Sequence, residues 1–303
     1  MHSTPAKNVY TGIGLALLAV IIWSGNFIAA RGVIKQMPPV SLAFYRWLTA
    51  AIIILPFTIR AVRAEWTIVR QSTGHLFWTS LTGIALFNTF VYVGAHYSTA
   101  INLALVGTTS SPIIAIILAR IFLKEAIGGL KIAGMILCIT GVLVLLAKGS
   151  FQNLLDLRFT AGDGWILLAA FFFAVYNTLV RKKPAGLSPV NYLTILFCVG
   201  TILLLPAYLW ELSHTPAVEW NVNLVLIILY LGLGTSVICY LCWNIAIGKL
   251  GSGRTALFGN LIPVFSSIEA SLILQEKFTT IHIISMVLVF AGIIIANLRL
   301  FKS

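Results

Sequence analysis

Charged residues are scarce in this 303-residue chain, and acidic residues are the scarcest: Asp and Glu number eight, and all charged residues together make 9% of the sequence. A soluble globular domain carries about 25% charged residues. With 59% hydrophobic residues, the composition excludes that class and predicts an integral membrane protein. No long polar segment occurs either, which disfavours a sensor or assembly protein built on a sizeable soluble domain.

Cysteines and catalytic motifs are also sparse. The four cysteines, Cys138, Cys198, Cys239 and Cys242, all fall in apolar stretches. Cys239 and Cys242 form a C-x-x-C, but neither the second pair nor the histidines of a zinc site accompany it. The five histidines are scattered, and no H-E-x-x-H, Walker loop or G-x-S-x-G occurs. The sequence predicts no metal, no cofactor and no enzyme activity, and a membrane-embedded enzyme is the weakest alternative.

Apolar stretches fill almost the whole chain. A membrane-spanning helix needs about 17 to 25 apolar residues. Ten such stretches are predicted, at about 11–30, 41–59, 76–94, 101–123, 131–147, 163–180, 190–209, 222–247, 254–275 and 281–298. The sequence therefore predicts an all-α integral membrane protein with ten transmembrane helices surrounded by lipid. The first stretch is longer than a signal-peptide core, so it is expected to be retained.

The two halves of the chain repeat one pattern. Offsets of 150 and 151 residues align glycines, prolines and an arginine of the second half with those of the first, including Pro263 with Pro112. Two domains are predicted, one five-helix repeat over 1–150 and a second over 151–303. Because five is odd, the second repeat is expected to enter the membrane inverted. Inverted repeats are typical of secondary transporters that work by alternating access.

Basic residues set the predicted orientation. With the N-terminus in the cytoplasm, most lysines and arginines fall in cytoplasmic loops, as the positive-inside rule requires. Both termini are therefore predicted to be cytoplasmic. The formal net charge of +12 follows from this asymmetry, so nucleic-acid binding is not predicted.

Several short motifs resemble those of EamA-type transporters of the drug/metabolite transporter superfamily. They are Trp23-Ser-Gly-Asn26-Phe, Phe44-Tyr-Arg46-Trp, Trp243-Asn-Ile-Ala-Ile-Gly-Lys-Leu-Gly251 and two Pro-(x12)-Glu stretches, Pro112 to Glu125 and Pro263 to Glu276. The resemblance covers essentially the whole chain. It implies a ten-helix bundle in the inner membrane of a prokaryote, with a central cavity between the halves.

The function that the resemblance implies is export of small metabolites. We expect a small-molecule substrate such as an amino acid or a related compound. A passive channel or facilitator is the nearest alternative, because an aqueous cavity alone can conduct. Coupling to a proton gradient stays open, and so does the choice between monomer and homodimer.

Helical spacing predicts the residues that line this cavity. Trp23 and Asn26 share one helix face, and Asn88 and Tyr92 share another. The predicted substrate-binding residues are Trp23, Asn26, Asn88, Tyr92, Thr109, Tyr176, Tyr240, Trp243, Asn244 and Asn260. Their aromatic and amide groups suit an amphipathic organic solute. Alternatively, the amides join helix to helix and the aromatic rings lie at the membrane interface.

Four further residues are predicted to serve gating or coupling: Arg46, Pro112, Pro263 and Glu269. Each proline removes a helical amide donor and is expected to bend its helix near the centre. Arg46 and Glu269 are the ionisable residues deepest in the predicted spans, where each costs about 2.5 to 3.5 kcal/mol. Either they form an ion pair that closes the outer side, which is the favoured interpretation, or Glu269 carries a coupling proton. On a straight helix Glu269 and Asn260 would lie on opposite faces.

Overall fold

Helices make up all the regular secondary structure in the residues that the computed structural model describes, which are 5–33, 36–97, 100–147, 150–156, 160–273 and 279–298. The helices are α1 (Pro5–Val33), α2 (Pro39–Ala64), α3 (Trp66–Gln71), α4 (Thr73–Tyr97), α5 (Ala100–Leu123), α6 (Gly129–Ala147), α7 (Gln152–Leu155), α8 (Ala161–Arg181), α9 (Pro189–His214), α10 (Val222–Leu250), α11 (Ser252–Leu257), α12 (Ile262–Ile273) and α13 (Thr280–Asn297). Glu276, the predicted counterpart of Glu125, lies outside the described residues.

Eight helices within the described part of the chain are long and apolar enough to cross a membrane: α1, α2, α4, α6, α8, α9, α10 and α13. They correspond to eight of the ten predicted spans, and the chain is a multi-pass membrane protein. The other two predicted spans are 101–123 and 254–275. The first lies in α5, where Thr109–Leu123 counts as a shorter apolar helix. The second is divided between α11 and α12.

The break between α11 and α12 has a clear cause in Pro263. This proline has no amide hydrogen, so it cannot bond to the carbonyl of Gly259 four residues earlier. The chain tightens into a 3₁₀ turn over Phe258–Leu261, and the amide of Ile262 donates to Gly259 instead. The regular α-helix is therefore interrupted just before Pro263, where the sequence predicted a bend. The helix around Pro112 is unbroken, so a bend there stays a prediction.

Two helices contain π-helical turns, which the sequence pattern did not predict. These turns are Leu81–Leu86 in α4 and Tyr230–Ile238 in α10. The offset of 150 places Leu81 on Leu231, so the two π-helical stretches occupy corresponding positions in the two halves. Such turns commonly mark functional sites in helices.

Helices α6 and α13 bring the two halves into close contact through small residues. A Cβ atom added to Gly134 would lie 2.4 Å from the carbonyl oxygen of Gly292, and one added to Gly141 would lie 3.0 Å from that of Ser285. Glycine is therefore required for the backbones to approach this closely. Small residues at these positions let α6 and α13 pack closely.

Helices α2 and α9 form a second pair between the halves, and a carboxylate caps each of them. Glu211 near the end of α9 accepts hydrogen bonds from the amides of Val40 (3.1 Å) and Ser41 (2.6 Å) at the start of α2. At the other end, Glu65 accepts one from the amide of Ser188 (3.1 Å), which caps α9. A negative charge at a helix N-terminus satisfies its free amides and its dipole. Hydrogen bonds to these two carboxylates therefore join α2 and α9 at both ends of the pair.

Candidate substrate site between the two halves

A cluster of aromatic rings lies where α1, α8 and α10 meet. The centroid of Trp23 is 5.0 Å from that of Trp243 and 5.7 Å from that of Tyr240, and Tyr176 lies 5.6 Å from Tyr240. Phe173 contacts Trp23 at 6.0 Å and Tyr176 at 5.9 Å. All five rings are buried. A ligand can enter this cluster only if the rings separate, so the structure holds the candidate site closed.

Two asparagines fix the polar ends of these rings. The hydroxyl of Tyr176 donates to Asn244 Oδ1 at 2.8 Å, and the indole of Trp243 donates to Asn177 Oδ1 at 2.9 Å. Both amide nitrogens, Nδ2 of Asn177 and of Asn244, are enclosed and have no hydrogen-bond partner among the described residues. A buried donor without an acceptor costs about 1 to 3 kcal/mol. These donors can therefore bind an acceptor oxygen of a ligand.

Arg46 is almost fully buried and binds only uncharged acceptors within the described residues. Its Nε donates to Ser236 Oγ at 2.8 Å, its Nη1 to Asn88 Oδ1 and Tyr92 Oη, both at 2.9 Å, and its Nη2 to the carbonyl of Thr235 at 3.1 Å. The planar guanidinium presents several N–H donors in a fixed geometry, so it can bind acceptors on several helices at once. Arg46 thus joins α2 to α4 and α10.

The Arg46 network continues directly into the aromatic cluster. Nδ2 of Asn88 donates to the hydroxyl oxygen of Tyr240 at 3.0 Å, and Tyr240 donates to the carbonyl of Gly83 at 3.1 Å. The indole of Trp23 donates at 2.8 Å to the Thr235 carbonyl, which also accepts from Arg46. Gly83 and Thr235 belong to the π-helical stretches of α4 and α10, so these stretches present carbonyl groups to side chains of the site.

The predicted ion pair between Arg46 and Glu269 is wrong. Glu269 accepts a hydrogen bond from Ser24 Oγ at 2.7 Å on Oε1, and it forms no ion pair within the described part of the chain. The physical reason is that neutral acceptors on α4 and α10 occupy the Arg46 donors, whereas α12 packs its Glu269 against α1. An ion pair is found instead between Lys131 Nζ and Glu125 Oε2, at 3.6 Å.

The remaining predicted residues make none of the contacts described above for the ring cluster. Asn26 is half-buried on α1, and Thr109 is half-buried on α5. Asn260 is fully buried, and its Nδ2 donates to the carbonyl of Leu257 on its own helical turn at 3.0 Å. Pro263 interrupts the helix before α12, whereas Pro112 lies within the unbroken helix α5. The structure thus brings together Trp23, Asn88, Tyr92, Tyr176, Tyr240, Trp243, Asn244 and Arg46.

The described residues form no metal centre, and an open cavity lies away from the residues of the ring cluster. Among the residues that the structure describes, no three His, Cys, Asp or Glu side chains are grouped as metal ligands. An open cavity of about 450 Å³ is lined by Gln36, Ala217, Glu219 and Asn221, near the ends of α1 and α9. None of these four residues belongs to the ring cluster.

Comparison with known protein families decides the identity of this fold. The model of the EamA-like transporter family matches the chain twice, at residues 10–147 and 160–298. The chain belongs to the EamA-like transporter family. The resemblance predicted from the short motifs is confirmed, and the protein is a membrane transporter.

The relatives of this EamA-like transporter cover nearly its whole length. An uncharacterized transporter of Archaeoglobus fulgidus is 28% identical over 94% of this chain and 96% of its own. A probable amino-acid metabolite efflux pump of Escherichia coli is 26% identical over 93% of each chain. A solved crystal structure superposes with a TM-score of 0.76 at 17% identity and covers 98% of both chains, which shows a shared fold.

Sequence reasoning missed several contact residues of the EamA-like transporter. Asn177, Thr235 and Ser236 bind predicted site residues but were not themselves predicted. Asn177 follows Tyr176 directly, so its amide beside a predicted site residue was a usable signal. Thr235 acts through its backbone carbonyl inside a π-helical stretch, and no side-chain pattern reveals such a contact.

Proposed function

We propose that this transporter exports small organic metabolites, such as amino acids or related compounds, by alternating access. The observation that carries the proposal is the closed cluster of aromatic rings and amides at the junction of α1, α4, α8 and α10. Aromatic faces bind the apolar part of a solute, and a few fixed polar groups orient its polar part. The printed name of the Escherichia coli relative, an amino-acid metabolite efflux pump, supports this substrate class.

Alternating access needs two halves that can exchange conformations, and we propose two inverted five-helix repeats, over 1–150 and 151–303. Several features support this division. The family model matches once in each half, and the pairs α2 with α9 and α6 with α13 join equivalent positions. The paired π-helical stretches add a third correspondence. Ten transmembrane helices then follow, with α5 and the α11–α12 segment as the two beyond the eight long apolar helices.

We place the protein in the inner membrane of a prokaryote, with both termini in the cytoplasm. The distribution of lysine and arginine supports this orientation, and an even number of spans requires both termini on one side. Reporter tags fused to either end should give a cytoplasmic signal. A periplasmic signal from one end would contradict the inverted-repeat arrangement.

The proposed export is tested by flux in proteoliposomes across a panel of labelled metabolites, with and without an imposed proton gradient. Saturable flux for an amphipathic metabolite is expected, and Trp23→Ala should reduce it more than it reduces protein inserted in the membrane. Flux that does not saturate would make the protein a channel. Absence of flux for every class of metabolite would contradict the transporter site proposed here.

A further inference from the structure

Glu269 is a carboxylate of α12, in one of the two segments proposed to complete the ten membrane spans, and its second oxygen has no hydrogen-bond partner among the described residues. Its Oε1 accepts the Ser24 hydroxyl at 2.7 Å, but its Oε2 is enclosed and has no hydrogen-bond partner among the described residues. A carboxylate in a membrane span costs several kcal/mol less when it meets a donor or a cation than when it stays unpaired. Oε2 of Glu269 therefore lacks a hydrogen-bond donor among the described residues.

The surroundings of Oε2 include a phenolic oxygen and Gly25, a residue without a side chain. A Cβ at Gly25 would lie 3.5 Å from Glu269 Oε2 and 2.6 Å from the hydroxyl oxygen of Tyr230. Tyr230 donates its proton to the carbonyl of Ile22 at 2.6 Å, so its oxygen can serve this space only as an acceptor. Asn26, which follows Gly25 in α1, also has an enclosed side-chain oxygen, Oδ1, with no hydrogen-bond partner in the described part of the chain.

The geometry points to Glu269 and Tyr230 as a subsite for the amino group of the transported metabolite. This inference rests on the proposed function and deepens it. A primary ammonium carries three N–H donors and a positive charge, which match a free carboxylate oxygen and a neighbouring phenolic oxygen. The same two helices carry the subsite and part of the aromatic cluster, because Ser24 and Trp23 lie on α1, and Tyr230 lies in the π-helical stretch of α10 whose Thr235 carbonyl accepts from Trp23. The expected substrates are therefore amphipathic amines and amino acids, and not neutral or purely acidic metabolites.

The inference is tested by pairs of compounds that share one skeleton and differ in one group. Suitable pairs are phenylalanine with phenyllactate, leucine with 2-hydroxyisocaproate, and tyramine with tyrosol. Saturable flux in proteoliposomes should favour the amino member at least about tenfold in half-saturating concentration, because a charge-assisted hydrogen bond is lost with the hydroxyl. Glu269→Gln should abolish this preference and leave the hydroxyl member within about twofold.

Three variants control the experiment. Glu219→Gln changes a glutamate that lines the open cavity elsewhere, so it should keep the full preference. Glu269→Asp keeps the charge and should keep part of the preference. Tyr230→Phe removes the phenolic acceptor but keeps the ring, so it should weaken the amino member selectively, which tests the site even if Glu269→Gln fails to insert.

The outcomes separate this inference from the proposed function. Equal flux of both members of each pair, or a preference unchanged by Glu269→Gln, overturns the ammonium subsite and leaves export intact. If Glu269→Gln keeps the preference but loses the response to a proton gradient, a proton is the occupant and the inference is wrong. Absence of saturable flux for all six compounds, beside flux of other metabolites, also overturns it, whereas absence of any flux contradicts the proposed function.

Discussion

Gly83 and Gly74 lie on the same helix, and the same substitution should have opposite effects at the two positions. At Gly83 an added Cβ would lie 2.0, 2.5 and 2.6 Å from three ring atoms of Tyr176. At Gly74 an added Cβ meets no described atom within 4 Å. Gly74→Ala is therefore a matched control for Gly83→Ala in α4.

The expected cost at Gly83 follows from these distances. Carbon atoms pack at about 3.5 to 4.0 Å, so the Tyr176 ring must retreat by about 1 Å or more. Tyr176 is fully buried, and such overpacking costs about 1 to 3 kcal/mol. The shift also strains the 2.8 Å bond from Tyr176 to Asn244, which adds about 1 kcal/mol. We expect Gly83→Ala to lose about 2 to 4 kcal/mol, and Gly74→Ala to be neutral or to gain up to about 1 kcal/mol through helix propensity.

The free energy of unfolding in detergent, titrated with denaturant, measures both variants, and metabolite flux is measured beside it. Gly83→Ala should also reduce flux, because Tyr176 is a proposed substrate-binding residue. Adding Tyr176→Leu to Gly83→Ala should recover part of the stability, since a smaller side chain relieves the overlap and the two effects are not additive. If Gly83→Ala matches Gly74→Ala in stability and flux, the contact between α4 and the ring cluster is not as described.

Three further predictions follow from the helix ends, the prolines and the buried guanidinium. Glu211→Gln should cost about 1 to 2 kcal/mol in the same unfolding titration, and Glu65→Gln less than about 1 kcal/mol, because Glu65 binds one amide and Glu211 binds two; equal losses would contradict this. Pro112→Ala and Pro263→Ala should each reduce flux more than membrane insertion, since a restored amide can straighten the helix; parallel loss of protein and flux would indicate a packing role. Arg46→Lys should reduce flux at least about tenfold, because one ammonium cannot reach acceptors on both α4 and α10. Unchanged flux would show that transport does not need the hydrogen bonds from Arg46 to both helices.

Much of the fold could be predicted because lipid imposes length and composition on helices. Eight of the ten predicted apolar stretches are helices long and apolar enough to cross a membrane in the described part of the chain. The interruption at Pro263 was predictable because a missing amide is a local property. Around Pro112 the helix continues without a break, because neighbouring helices can support a proline-containing segment, and a bend there stays a prediction.

The site could be predicted in its residues but not in its pairings. Helical spacing together with the offset between the two halves identified Trp23, Tyr176, Tyr240 and Trp243, which form one cluster of contacting rings. The partner of Arg46 could not be read from depth in the membrane, because depth fixes only one coordinate. Lateral position depends on which helices pack together and on the π-helical stretch that presents the Thr235 carbonyl.

The fastening of α2 to α9 restricts how the transporter can move. A slide of one helix past the other by a single turn, about 5.4 Å, would pull Glu211 away from the start of α2 and Glu65 away from the start of α9. The two helices are therefore expected to move together as one rigid body during transport. Within the helices, we expect bending where helical hydrogen bonding is irregular, in the π-helical stretches of α4 and α10 and at the 3₁₀ turn before Pro263.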